Sequence, residues 1–331
     1  MISGSEYINK LFETMYSKFL DTIEKYDLIP ADTDKVCLGM SGGKDAQVMT
    51  LLMNEYKKRV RPDLELELLI VKTPSWKYEP DKYYAGNEAM KEYATNQKKS
   101  VDTTIEYWEK QGIPTKLINY APEISNEVIM RAEKPCVMCF IGLYRSLCEY
   151  IKEQYANGKK AVLSIGITKF DLLYVLESLT IRSNGNSWEY DKLNTPDKYY
   201  FNRLQTTFFC PYPKILLGIP GTDAAKVTPI INLTDNETRE LANQLGLPRI
   251  PDPCAKLHGE KFVSDKRYFD SYLAGTTTED INLDHIHSGF FSDYHKLLDT
   301  FTRVGVLPPR SELDDLMYEA INNPKITAIY E

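Results

Sequence analysis

The segment that most narrows the fold is Val36-Cys-Leu-Gly-Met40 running straight into Ser41-Gly-Gly-Lys-Asp45. The apolar run reads as a short buried strand, and the residues from about Lys44 to Lys58 read as a helix. Two adjacent glycines between them, Gly42 and Gly43, let the backbone turn tightly and aim successive N–H groups at an anion. The helix that follows presents the positive end of its dipole to the same point. Strand, glycine turn and helix in this order open a nucleotide-binding α/β sheet. Within that frame Lys44 would neutralise phosphate, Ser41 would donate a hydrogen bond, and Asp45 would hold Mg²⁺ or orient the loop. The string is not a Walker A loop, which needs Gly-x-x-x-x-Gly-Lys followed by Ser or Thr.

The rest of the chain continues the alternation. Residues 5–27 place apolar side chains at 8, 11, 12, 15, 16, 19, 20 and 23, the spacing of an amphipathic helix that Pro30 ends. Further strands are expected at Leu66–Lys72, Thr115–Tyr120, Ala161–Ile167 and Lys226–Ile230. Helices are expected at 85–111, 137–156, Asp171–Thr180 and Asp235–Leu245, the last capped by Thr234. Residues 183–205 are polar and turn-rich. After Cys254 the alternation stops, and a tyrosine-rich, mostly helical extension is expected over 256–331. The expected organisation is an N-terminal helix over 1–30, an α/β domain over 31–255, and that extension.

Charge bears on what the chain binds. With 331 residues, a net charge of −7 and a pI near 5.4, it lacks the basic balance usual in proteins whose main partner is a polyanion. The densest basic cluster, Lys57, Lys58, Arg59 and Arg61, falls at the end of the first α/β helix, where cations complement the dipole. Lys159 and Lys160 read the same way. No run of about 18 apolar residues suggests a membrane span, and residues 1–28 carry Glu6, Glu13, Asp21 and Glu24 rather than a signal peptide. The expected location is cytoplasmic.

Six cysteines sit at 37, 136, 139, 148, 210 and 254. Cys37 lies in the apolar strand and Cys148 on a helix, where both read as small buried hydrophobes. Lys134-Pro-Cys136-Val-Met-Cys139 opens a helix, and Ile250-Pro-Asp-Pro-Cys254 follows far downstream. Two cysteines three apart can bind one metal site, and a third from a distant loop could complete a face; a chance pair is the plain alternative. Zinc would need a fourth ligand, for which His258 is available. An iron–sulfur cluster would keep one iron open, and a redox dithiol is a third reading.

The order of these motifs resembles the PP-loop ATP-pyrophosphatases, the adenine nucleotide alpha-hydrolase superfamily, and within it the tRNA 2-thiocytidine synthetase-type thiolases. The resemblance covers roughly residues 5–258. It implies a Rossmann-like, mostly parallel sheet with an N-terminal helix, ATP and Mg²⁺ bound at Met40, Ser41, Gly42, Gly43, Lys44 and Asp45, and cleavage between the α- and β-phosphates. It further implies a 4Fe–4S cluster on Cys136, Cys139 and Cys254. Lys44, Asp45, Cys136 and Cys139 would then carry the catalysis. The family's usual serine after the aspartate is Ala46 here. In Leu163-Ser-Ile-Gly-Ile-Thr-Lys-Phe-Asp171, Gly166 and Asp171 keep the family positions near the nucleotide, while two histidines and one aspartate are replaced. Asp171 also reads as a helix N-terminal carboxylate. The basic stretch after the second cysteine is replaced by Phe140-Ile-Gly-Leu-Tyr144, leaving Arg145.

The function expected is an ATP-dependent sulfurtransferase that adenylates a carbonyl oxygen and replaces it with sulfur. The acidic balance and these departures favour a small-molecule or carrier-bound amide over tRNA, with sulfide or a persulfide carrier as donor. A tRNA base thiolase and a non-catalytic nucleotide and iron–sulfur sensor are the alternatives, and a homodimer is compatible with either. Lys169 and Arg182 are expected near phosphate. Tyr199, Tyr200, Phe201 and Arg203 read as stacking or core residues, and His285 and His287 as surface residues.

Overall fold

A computed structural model describes residues 6–72, 78–119, 126–131, 135–168, 171 and 213–251. The elements run α1 (Glu6–Lys25), β1 (Lys35–Gly39), α2 (Lys44–Arg59), β2 (Glu65–Val71), α3 (Pro80–Tyr83), α4 (Glu88–Lys110), β3 (Thr115–Ile118), α5 (Asn126–Arg131), α6 (Pro135–Ala156), β4 (Ala161–Ile165), β5 (Lys214–Leu216), β6 (Ala225–Val227) and α7 (Asp235–Gln244). The strands form one sheet in the order β3-β2-β1-β4-β6-β5. Every pairing is parallel except β5 against β6. This is the expected Rossmann-like α/β sheet.

The strands are apolar on both faces, as a covered parallel sheet requires. Val36, Leu38, Leu66, Leu68, Ile70, Val162 and Val227 point to one side, where α1, α2, α7 and much of α4 pack. Cys37, Leu69, Val71, Ala161 and Leu163 point to the other, against Ile141, Tyr144, Leu147, Cys148 and Ile151 of α6. Successive strand residues alternate between the two cores because Cβ direction alternates along a strand. Helix α1 joins the first core through Phe12, Met15, Tyr16, Phe19 and Ile23. Cys37 and Cys148 are buried in the second core, as small hydrophobes.

Several expected boundaries shift. Helix α6 begins at Pro135 rather than 137, which puts Cys136 inside its first turn; proline is well tolerated at the opening of a helix. Strand β6 stops at Val227 because Pro229 has no N–H for a ladder, and the chain turns at Thr228 to Ile231 instead. The short helices α3 and α5 and the antiparallel edge strand β5 are too brief to show periodicity in sequence. Among the described residues no helix is long and apolar enough to cross a membrane.

Four members of the basic clusters are matched by carboxylates. Arg59 donates to Glu13 at 2.8 and 2.9 Å and to Glu55 at 2.6 Å, and it stacks over Tyr16. Arg61 pairs with Asp63, Lys159 with Glu65, and Lys160 with Asp32.

Candidate functional site

The sheet reverses its winding between β1 and β4, and the glycine loop leaves β1 at that reversal, on the carboxyl edge where open α/β sheets bind ligands. Met40 is buried in the core, its N–H donating to the Leu69 carbonyl at 2.9 Å, so its side chain serves packing. Ser41 is exposed, and its Oγ accepts from Gly43 N–H at 3.3 Å, which leaves the hydroxyl proton for a ligand. Gly42 has φ +86°, a left-handed conformation that favours glycine. Gly43 caps α2 without any side-chain hydrogen bond, so no side chain covers the helix N-terminus at its cap.

Three elements clamp the first turn of α2. From β4, Gly166 lies under it so closely that a Cβ there would sit 2.6 Å from Ala46 N and 2.7 Å from Asp45 C. From α4, Trp108 Nε1 donates to Gln47 Oε1 at 2.6 Å, with both side chains fully buried. From α7, Asp235 and Thr238 reach the charged residues. Gly166, expected at the nucleotide, thus acts in the structure as a close-packing position. Ala46 is buried against it.

Lys44 and Asp45 do not stand free. Lys44 Nζ donates to both Asp45 oxygens at 2.8 and 2.9 Å and to Thr238 Oγ1 at 3.3 Å, and it pairs with Asp235 Oδ1 at 2.5 Å. Thr238 Oγ1 donates to Asp45 Oδ1 at 2.7 Å. Asp235 is also held by Arg239, one turn along α7. Burial pushes the Asp45 carboxyl above its ordinary range; the Lys44 ammonium opposes this, and the Asp171 charge adds to it. The Asp171 charge, expected near the nucleotide, is thus felt at Asp45. Asp171 accepts from Thr168 N–H at 3.1 Å and from Thr168 Oγ1 at 3.3 Å.

Asp235, Thr238 and Ile250 were not among the residues singled out from sequence. Thr234 was, and it forms a full capping box with Glu237. That box fixes where α7 begins, yet nothing in one dimension shows that its next residues face Lys44, since Thr238 lies 194 residues further along the chain. Ile250 carries the chain back to the loop, its N–H donating to the Gly42 carbonyl at 3.0 Å.

Cys139 is half-buried against the second core. The Cys136 side chain, Cys210, Cys254 and His258 lie outside what the structure describes, as do Lys169, Arg182, Tyr199, Tyr200, Phe201, Arg203, His285, His287, the helix expected at Asp171–Thr180 beyond its first residue, the 183–205 segment and the 256–331 extension. Among the described residues no three His, Cys, Asp or Glu side chains gather as metal ligands.

No family model matches the chain, and no curated protein matches it. Among solved structures, the U34-tRNA thiolase NcsA from Methanococcus maripaludis, described with its 4Fe–4S cluster, aligns over 84% of this chain and 82% of that one, at 19% identity and a TM-score of 0.50. An NMN synthetase from Francisella tularensis aligns over 85% of this chain and 86% of that one, at 15% identity and a TM-score of 0.39, too low to carry an argument. At such identity the first likeness shows the fold alone. The chain has an α/β fold of PP-loop ATPase type.

Proposed function

We propose that this chain is an ATP-dependent sulfurtransferase that adenylates a carbonyl oxygen of a small-molecule or carrier-bound amide and replaces that oxygen with sulfur. The observation that carries the ATP step is the loop itself, where the exposed Ser41, the glycine turn and the N-terminus of α2, which Lys44 opens, follow one another directly off the carboxyl edge of β1. In this reading the loop N–H groups and Lys44 hold the phosphates. Asp45 and Asp171 hold Mg²⁺. The substrate oxygen attacks the α-phosphorus as the bond to pyrophosphate breaks. Preorganised donors stabilise the charge that develops there, and AMP then leaves as sulfur takes its carbon.

Cys136, Cys139 and Cys254 are the residues we assign to a 4Fe–4S centre. Held there, the centre would supply an open position for sulfide, sulfur already at the oxidation level that replaces a carbonyl oxygen; a persulfide carrier would serve as donor only together with a two-electron reductant such as a thiol. Supporting the assignment, Cys139 stands on α6 at the sheet's second face. Four residues after Ile250, which bonds the phosphate loop, comes Cys254, a chain length of about 14 Å at most. A cytoplasmic location and a homodimer go with this reading, as does a division into N-terminal helix, α/β domain and C-terminal extension.

The likeness to a U34-tRNA thiolase favours tRNA as a second substrate reading. Against it stand the acidic balance and the pairing of Arg59, Arg61, Lys159 and Lys160 with carboxylates.

The test is anaerobic purification, followed by iron and acid-labile sulfide analysis and by pyrophosphate release with Mg·ATP. Iron and sulfide that disappear in Cys139→Ala and Cys254→Ala support the centre, whereas a colourless zinc protein sinks it. Substrate-dependent pyrophosphate release supports an enzyme over a nucleotide sensor. Binding of bulk tRNA that weakens steeply with salt would move the reading to the nucleic acid.

A further inference from the structure

Lys44 belongs to two helices at once. Its backbone opens α2, but its ammonium is held from α7 by Asp235 at 2.5 Å. A free lysine side chain has about 2 kcal/mol of rotamer entropy to lose on being fixed. Here that ordering is done before any ligand arrives, in a pocket where the Lys44 side chain is only 14% exposed.

Asp235 serves α7 as a first-turn carboxylate paired with Arg239, but the helix has other anchors. The Thr234 and Glu237 capping box satisfies its N-terminus, Glu237 is tied to Lys18 of α1, and Leu241 and Ala242 bury its inner face. Beyond that intrahelical role, the Asp235 carboxylate reaches out of α7 to a cation on α2, while Arg239 of its own helix holds it from the other side.

We propose that Asp235 is a positioning residue for polyphosphate binding, fixing the Lys44 ammonium at the mouth of the glycine loop. It acts through Lys44 and does not touch the nucleotide. The inference rests on reading Ser41 to Asp45 as an ATP loop, and it assigns a role to a helix that the loop motif does not contain. A helix brace would act whether or not Lys44 is present; a positioning residue acts only when Lys44 is there to be positioned.

The experiment is calorimetric titration of the full-length chain with ATP at fixed excess Mg²⁺. The proteins compared are the unmodified chain, Asp235→Ala, Asp235→Asn, Lys44→Met and the Lys44→Met/Asp235→Ala double variant. Asp235→Ala is expected to weaken Mg·ATP about tenfold, and Asp235→Asn, which keeps an oxygen acceptor, about threefold or less. In the Lys44→Met background, Asp235→Ala should add less than about twofold. Equal losses in both backgrounds, or unchanged affinity in Asp235→Ala, would overturn the proposal. If Lys44→Met does not fold, equal losses in the Ala and Asn variants overturn it, and the unequal losses given above support it. Absence of Mg·ATP binding by the unmodified chain overturns the ATP reading itself, and this inference with it.

Discussion

Ile250 occupies the space that a side chain at Gly42 would need. Its N–H donates to the Gly42 carbonyl at 3.0 Å, and its own Cβ lies 2.2 Å from where a Cβ on Gly42 would stand. The glycine is thus constrained twice, by φ +86° and by a neighbour that arrives from the far end of the described chain. Gly43 is constrained by neither. Its φ is −72°, and an added Cβ would meet only Ser41 Oγ at an ordinary 3.5 Å.

The two loop glycines should therefore respond differently to alanine. Gly42→Ala is expected to lose at least ~2 kcal/mol of stability, from the left-handed backbone and the overlap together. Gly43→Ala, at the N-cap where glycine is preferred to alanine but without strain or overlap, should lose only about 0.5–1 kcal/mol. Urea denaturation followed by circular dichroism measures both, and equal losses would contradict this assignment.

Gly166 is expected to be as intolerant as Gly42, for a different reason. Its conformation is ordinary, but an added Cβ would meet the backbone of Asp45 and Ala46 at 2.6 to 2.9 Å, and backbone inside a helix turn does not yield as a side-chain tip does. Gly166→Ala should cost about 1–3 kcal/mol and weaken Mg·ATP, because it displaces the turn that carries Lys44 and Asp45. Thermal melts and nucleotide titration read the two effects, and a fully stable variant with normal affinity would refute it.

Asp45 sets a pH dependence. Burial raises its carboxyl above the ordinary 3.8, against the pull of Lys44 and with the push of Asp171. A raised folded pKa means the native state holds the proton more tightly. Its contribution to stability is therefore complete below about 3.8 and is lost as pH climbs through the raised value. Relative to Asp45→Asn in a chelator-containing buffer, the unmodified chain should lose melting temperature as pH rises. A gap that does not change with pH would contradict this.

Cys37 should be silent to thiol reagents in the native protein. It is fully buried, and burial pushes its thiol up to about 12, so almost no thiolate exists at neutral pH. Iodoacetamide treatment followed by peptide mass analysis should find Cys37 unmodified until denaturant is added. Modification under native conditions would show that the sheet opens far more readily than its packing allows.

The parts of the fold written in local pattern were legible beforehand. The amphipathic spacing of α1, the apolar runs of β1, β2 and β4, and the Thr234 cap of α7 all appear near their expected places. β5, α3 and α5 were not, because they hold too few residues and no apolar run for a pattern to register, and they owe their form to neighbours. At the candidate site, Ser41 to Asp45 stood out because phosphate chemistry needs adjacent glycines and a cation in one turn. Ile250, Asp235 and Thr238 carried no such mark.

The sequence by itself determined that a strand, a glycine turn and a helix would offer backbone N–H groups and a lysine to an anion, since that depends on neighbours along the chain. Only the tertiary structure decided what holds that lysine. Parallel packing of β4 beside β1 brings Gly166 under the first turn of α2, and the same core lays α7 across it. Charges far apart in the chain then meet within 3 Å, through contacts set by how helices pack on a shared sheet.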